Sequence, residues 1–143
     1  MLVSQILRQK GDAVISCSPD ESLAAAAERL NGRGIGAMVV LDESDTVAGI
    51  ISERDIIRAI AQAGAQALTS PVSSFMSRGI IYADPKESID MLLSRMTDRR
   101  IRHLPVCKDG KLQGVVSIGY LVKAKIAEAE AEAEGLKAYI AQG

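Results

Sequence analysis

Ser52, Arg54 and Asp55 close the stretch Gly49-Ile50-Ile51-Ser52-Glu53-Arg54-Asp55, and Gly114-Val115-Val116-Ser117-Ile118-Gly119-Tyr120 echoes it further along the chain. Each reads Gly, two β-branched apolar residues, Ser, and then a helical run. The apolar pair suits the end of a buried strand. The Ser suits an N-cap, whose hydroxyl accepts an N–H of the first helical turn. A strand that runs directly into a helix presents N–H groups and the positive end of the helix dipole, which favours anions. Ser52-x-x-Asp55 equally fits a capping box, in which the two side chains only close the helix. Two such junctions in one small chain suggest two related ligand positions.

Other chemistry finds little support. The cysteines, Cys17 and Cys107, form no CxxC pattern and sit in apolar runs, so they read as buried thiols. With a single His in the chain, a zinc site lacks soft ligands, and no metal is expected. His103 has no paired Ser, Cys or carboxylate motif to make it a catalytic base, and no Walker-type loop is present. The chain is therefore read as a non-enzyme. Arg99, Arg100, Arg102 and His103 cluster where a helix gives way to a strand. The dipole favours cations at a helix C-terminus, and contact with a ligand anion is the competing reading for Arg102.

The elements that must position these residues come from an internal duplication. Pro19, Ser22 and Arg33 pair with Pro85, Ser88 and Arg99 at an offset of 66. The same offset pairs Leu23, Ala26, Ala27 and Leu30 with Ile89, Leu92, Leu93 and Met96, the apolar stripe of a surface helix in both halves. One extra residue in the first hairpin changes the offset to 65 at the two Gly-h-h-Ser stretches. Each repeat predicts the order β-α-β-β-α. The first strand spans Ala13–Cys17 or Ile80–Ala83. A helix follows from Ser22 or Ser88, the first one ended by Gly32 and Gly34. A hairpin then joins Ala37–Leu41 to Val47–Ile51, or His103–Cys107 to Leu112–Val116. Pro105 within a strand predicts an edge or site-facing position, because it cannot donate to the ladder. A lead-in also repeats itself, Val3–Leu7 against Val72–Met76. The expected organisation is a first repeat with its lead-in over 1–62, a linker over 63–71, a second repeat over 72–125 and a C-terminal helical extension over 126–143. The Ala/Glu alternation of that extension gives no broad apolar face, and Gly135 is a point where the helix is expected to break.

The 143 residues suffice for a core, which must be aliphatic because aromatics are only 3%. So few rings, together with a net charge of −1, argue against nucleic acid as a partner. No signal-like or membrane-spanning apolar run is present, so a soluble cytoplasmic protein is the expectation. The apolar surplus of the last helix in each repeat, Ile56, Ile57 and Ile60 and Leu121, Val122 and Ile126, predicts burial between two chains.

The duplicated unit with its Gly-h-h-Ser-x-x-Asp ending resembles the cystathionine-β-synthase (CBS) domain family. Ser18-Pro19-Asp20-Glu21-Ser22 and Arg99 to Val106 add to the likeness, which covers nearly the whole chain to about Lys125. The resemblance implies an α/β (α+β) fold of two tandem repeats packed about a pseudo-twofold axis, with a cleft between them. It implies adenosine-containing ligands such as AMP, ATP, NAD or S-adenosylmethionine, a regulatory role toward another protein, and a homodimer of such pairs. Carried over by residue, Ser52 and Asp55 match the family's contacts to ribose and phosphate, and a carboxylate can accept from both ribose hydroxyls. Arg54 stands next to them. Ile15 and Ser16, and Ile81 and Tyr82, match strand positions whose backbone meets the adenine edge. Ser117 matches Ser52, whereas Tyr120 stands where Asp is expected. Arg102 matches a phosphate-facing position, and its counterpart Gly36 has no side chain to do this. His103 and Pro105 complete the expected nucleotide-binding set. The expected function is a stand-alone sensor pair that reports nucleotide occupancy. The alternatives are a ligand-free dimerisation module and, on the Arg99 to His103 cluster, a nucleic-acid binder.

Overall fold

A computed structural model describes residues 1–10 and 14–142, so Ala13 of the expected first strand lies outside the described residues. The elements run α1 (Val3–Lys10), β1 (Ser16–Cys17), α2 (Leu23–Arg33), β2 (Ala37–Leu41), β3 (Val47–Ser52), α3 (Glu53–Ala63), α4 (Ile89–Arg99), β4 (His103–Lys108), β5 (Lys111–Ser117) and α5 (Ile118–Gln142). Short 3₁₀ turns at Gly64–Thr69 and Val72–Ser74 join α3 to the second half. The fold is mixed α/β. In the first half β1 pairs parallel with β2, which pairs antiparallel with β3. In the second half β4 and β5 form the antiparallel hairpin.

The caps fall where the sequence places them. Ser22 and Ser88 accept the N–H of Ala25 and Met91 at 3.1 and 3.2 Å. Gly34 ends α2 at φ 64°, a left-handed conformation that glycine adopts without Cβ strain. At the equivalent end of α4 stands Arg100, at φ 55°.

Beyond a first strand that begins only at Ser16 and a Gly32 that lies inside α2, two larger findings depart from the sequence reading. Ile80–Ala83 makes no strand; only Ala83 bridges to Val106. Ala83 N–H donates to the Pro105 carbonyl and Cys107 N–H to the Ala83 carbonyl, both at 2.9 Å. Pairing further back would need an N–H from Pro105, which has none. And α5 runs unbroken through Gly135 to Gln142, since one glycine costs a helix only about 1 kcal/mol.

The core lies in two clusters, and the lead-in segments are exchanged between them. Val3 and Ile6 of α1 pack with Ile89, Leu92, Leu104, Val116 and Leu121 of the second half. Val72 and Met76 pack with Leu23, Leu30, Val40 and Ile51 of the first. The backbone bonds match in kind: Val3 N–H donates to the Glu87 carbonyl at 2.9 Å, and Val72 N–H to the Glu21 carbonyl at 2.8 Å. The exchanged segments press on the two glycines that open the Gly-h-h-Ser stretches. A Cβ on Gly49 would lie 2.7 Å from Met76 Sδ and 2.8 Å from the Ser77 carbonyl oxygen; one on Gly114 would lie 2.8 Å from Leu7 Cδ2. Those glycines therefore answer to packing. The 63–71 segment is also built in, with Ala67 buried in the first core.

Candidate functional site

A cleft of about 270 Å³ opens between the halves. From the first half it is lined by Gly36, Ala37, Ile50 and the start of α3, namely Ser52, Glu53, Arg54, Asp55 and Arg58; from the second by Ser77, Gly79, Ile80, Ile81, Arg100, Ile101, Arg102 and His103. Ser77 is held against β3 by a pair of bonds with Ile50, 2.9 and 3.0 Å. That pairing carries the chain from the first half along the cleft floor into the second. The halves meet at Gly36, where an added Cβ would lie 3.3 Å from Glu53 Oε1 and 3.4 Å from His103 Cε1.

Asp55 is the one charged residue buried among those described, 5% exposed. Its Oδ2 accepts the N–H and the hydroxyl of Ser52, both at 2.9 Å, while Ser52 Oγ accepts the Asp55 N–H at 3.2 Å. The capping box is therefore real. It does not exhaust the carboxylate, because an ionised carboxylate offers about four acceptor positions. Oδ1 carries only a 3.3 Å contact to Arg58, whose side chain is about half exposed. The cleft thus holds an acceptor fixed in place by its own helix cap.

Four arginines, Arg54, Arg58, Arg100 and Arg102, face two carboxylates, Glu53 and Asp55, around this space. Apolar surface from Ile50, Ile80, Ile81 and Ile101 completes it. Such a cleft suits a ligand with a flat apolar part, hydroxyls and an anionic group.

Of the residues expected at a site, the structure brings Ser52, Arg54, Asp55, Ile81, Arg102 and His103 together around this cleft. Ile15, Ser16, Tyr82, Pro105, Ser117 and Tyr120 do not line it. Ile15 packs on the first core and Tyr120 on the second. Ser117 Oγ accepts the Tyr120 N–H at 3.2 Å and caps α5. Pro105 is buried within β4 and Tyr82 is exposed. The carbonyls of Ser16 and Tyr82 are held by Arg29 and Arg95, at 2.7 and 3.3 Å. Those arginines also clamp Glu21 and Glu87, and the guanidinium hydrogen bonds hold both carboxyls below their ordinary range.

Sequence reasoning did not single out Arg58, Ile80 and Ile101. Arg58 was detectable, since it stands four residues after Arg54 on the same helical face. Cys17 is buried, and burial, with Glu21 adding to it, pushes its thiol up to about 11, so it stays protonated at neutral pH. No cluster of three metal-ligating side chains exists among the described residues, and no described helix is long and apolar enough to cross a membrane.

The CBS domain profile matches the chain twice, over residues 3–62 and 72–127. A CBS-domain containing protein of Agrobacterium tumefaciens is 40% identical, with a TM-score of 0.84 over 87% of this chain and 92% of that one. The CBS domain pair of the protein MJ0100, crystallised with 5′-methylthioadenosine and S-adenosyl-L-methionine, is 26% identical with a TM-score of 0.79, over 90% of this chain and 98% of that one. A CBS domain protein of Pyrobaculum aerophilum complexed with AMP is 25% identical with a TM-score of 0.75, over 84% and 89%.

Proposed function

Because the chain belongs to the CBS domain family and carries two copies of that domain, we propose that it is a regulatory module whose cleft binds an adenosine-containing nucleotide, AMP, ATP or NAD. The observation that carries this reading is the cleft itself: one buried carboxylate held in place beside four arginines and an apolar floor. Asp55 Oδ1 accepts from the ribose hydroxyls. Arg54, Arg58, Arg100 and Arg102 meet the phosphate, and Ile80, Ile81 and Ile101 cover the base. The relatives' ligands support the adenosine part, which AMP, 5′-methylthioadenosine and S-adenosylmethionine share. The arginines favour the phosphate-bearing member of that set.

The module performs no bond-making step. Its output is linkage: the cleft is built from both halves, so a ligand that bridges them favours one arrangement of the halves by its differential affinity. A regulated protein reads that arrangement. The module works as a homodimer. Ile57, Ile60, Val122 and Ile126 remain 68%, 40%, 43% and 54% exposed in the single chain, an apolar surface that a second copy covers.

Thermal unfolding and calorimetry with AMP, ATP, NAD and adenosine test the reading. AMP is expected to raise the melting temperature, because a ligand that binds only the native state stabilises it. Arg102→Ala is expected to weaken AMP roughly tenfold while changing adenosine little. No stabilisation by any of the four compounds leaves the dimerisation module as the reading. Equal weakening of AMP and adenosine places Arg102 away from the phosphate.

A further inference from the structure

The end of α5 is exposed along its whole length in the single chain. Its last tie to the body is Glu128, which pairs with the N-terminal ammonium at 2.7 Å and with Lys125 at 3.4 Å. Every residue from Ala129 to Gln142 is exposed. A helical stretch that short is marginal in water by itself. Like charges four apart, Glu128 with Glu132 and Glu130 with Glu134, weaken it further. Something must hold it.

The apolar residues of this helix form a narrow seam in place of a broad face. Val122, Ile126, Ala129, Ala133, Leu136 and Ile140 follow one another in steps of four and three, a heptad repeat. The seam lies beside the face that buries Leu121 and Ala124, and its four large members are 43–67% exposed. In heptad terms Ile126, Ala133 and Ile140 hold the a positions, and Val122, Ala129 and Leu136 the d positions. Ile140 at a with Leu136 at d is the combination that favours two parallel strands; Val122, Ala129 and Ala133 add apolar contact without setting the strand number.

The charges flanking the seam choose the orientation. Lys125 and Glu132 occupy g positions; Lys123, Glu130 and Lys137 occupy e positions. In a parallel pair each g faces the following e of the other helix, so Lys125 meets Glu130 and Glu132 meets Lys137, both of opposite sign. In an antiparallel pair centred on the seam, e faces e and g faces g. Lys123 then meets Lys137, Glu130 meets Glu130 and Glu132 meets Glu132, all of like sign. Lys125 already pairs with Asp90 at 2.9 Å, yet its side chain is 43% exposed and an ammonium has three donors to share.

We infer that the α5 extension is a parallel two-stranded coiled coil with a second copy of this chain, zipped along Val122, Ile126, Ala129, Ala133, Leu136 and Ile140. This rests on the homodimer reading and adds its geometry. The two copies stand side by side with their C-termini together, so nucleotide occupancy in two clefts is presented on one side of a shared rod.

The test is disulfide trapping in the full chain. Ile140→Cys places two thiols opposite each other in the parallel arrangement and about 27 Å apart, eighteen residues of helix, in the antiparallel one. Mild oxidation at micromolar protein is expected to convert most of the variant to a covalent dimer, while the chain with only Cys17 and Cys107 stays unlinked. Lys137→Glu is expected to raise the dimer dissociation constant roughly tenfold, and Glu132→Lys with Lys137→Glu to restore it. A dimer by light scattering that neither cross-links in Ile140→Cys nor responds to these charge changes overturns the coiled coil and leaves the homodimer standing. A monomeric mass overturns both.

Discussion

The two halves of this chain share their scaffolding and differ where a ligand would be recognised. Ser22 and Ser88 cap equivalent helices, Glu21–Arg29 and Glu87–Arg95 form equivalent clamps, and the lead-ins cross over in the same way. The four cleft arginines have no such symmetry. The counterparts of Arg54, Arg58, Arg100 and Arg102 are Gly119, Lys123, Gly34 and Gly36, and the counterpart of Asp55 is Tyr120. Duplication preserved the frame, because each half needs it to bury its own core. The residues lining the cleft carry no such demand from the core, and there the two halves differ.

That comparison can be broken first at the glycines. Gly49→Ala drives a Cβ into the Ser77 carbonyl, which is fixed by its bonds to Ile50, whereas Gly114→Ala meets only the movable end of Leu7. Overpacking of the first kind is expected to cost about 3 kcal/mol and of the second about 1. Urea titrations of both variants check this, and equal losses would make the two crossings equivalent in rigidity as well as in plan.

Asp55→Ala against Tyr120→Ala sharpens the functional side. Removing the carboxylate is expected to weaken AMP by tenfold or more, since a charge-assisted bond contributes about 1.5–3 kcal/mol. Tyr120→Ala is expected to change affinity less, because Tyr120 packs on the second core away from the cleft. Asp55→Ala also opens the capping box, which costs about 1 kcal/mol of stability. Calorimetry and thermal unfolding on the same samples separate the two effects. Intact binding in Asp55→Ala would reduce Asp55 to a helix cap.

Arg100 and Gly34 offer the next contrast. Both end a helix in the left-handed region, but only Arg100 bears a Cβ there. Arg100→Gly is expected to stabilise the protein by about 1 kcal/mol and to weaken AMP. A variant that gains stability without losing affinity would show that Arg100 is strained for no benefit to the cleft.

The smallest expected difference lies in the clamps. Both carboxyls titrate below their ordinary 4.5 because an arginine hydrogen bond favours the ionised form. Their contribution is therefore complete above that pH and lost as pH falls below it. Glu87→Gln and Glu21→Gln are each expected to lower stability at pH 7 by about 1 kcal/mol or less, with the difference from the parent vanishing as pH falls through the lowered carboxyl range. Melting temperatures across that range check it, and unequal losses would show that the clamps are not equivalent.

Local rules carried much of this molecule into the sequence. The apolar stripes of α2 and α4, their Ser caps, the two hairpins and the duplication could be read directly, because each depends on residues a few positions apart. So could the candidate site at Ser52 to Asp55, since a strand-to-helix junction is a local event. Tertiary structure alone decided the exchange of the lead-ins, because Val3 and Val72 look equally apolar toward either core. It decided that only Ala83 of Ile80–Ala83 pairs, because Pro105, lying beside the segment across the chain, has no N–H to extend the ladder. It decided that Ser52, Arg54 and Asp55 of one half face Ile81, Arg100 and Arg102 of the other. Sequence offsets pair each residue with its own image; only packing of the two halves sets what stands opposite.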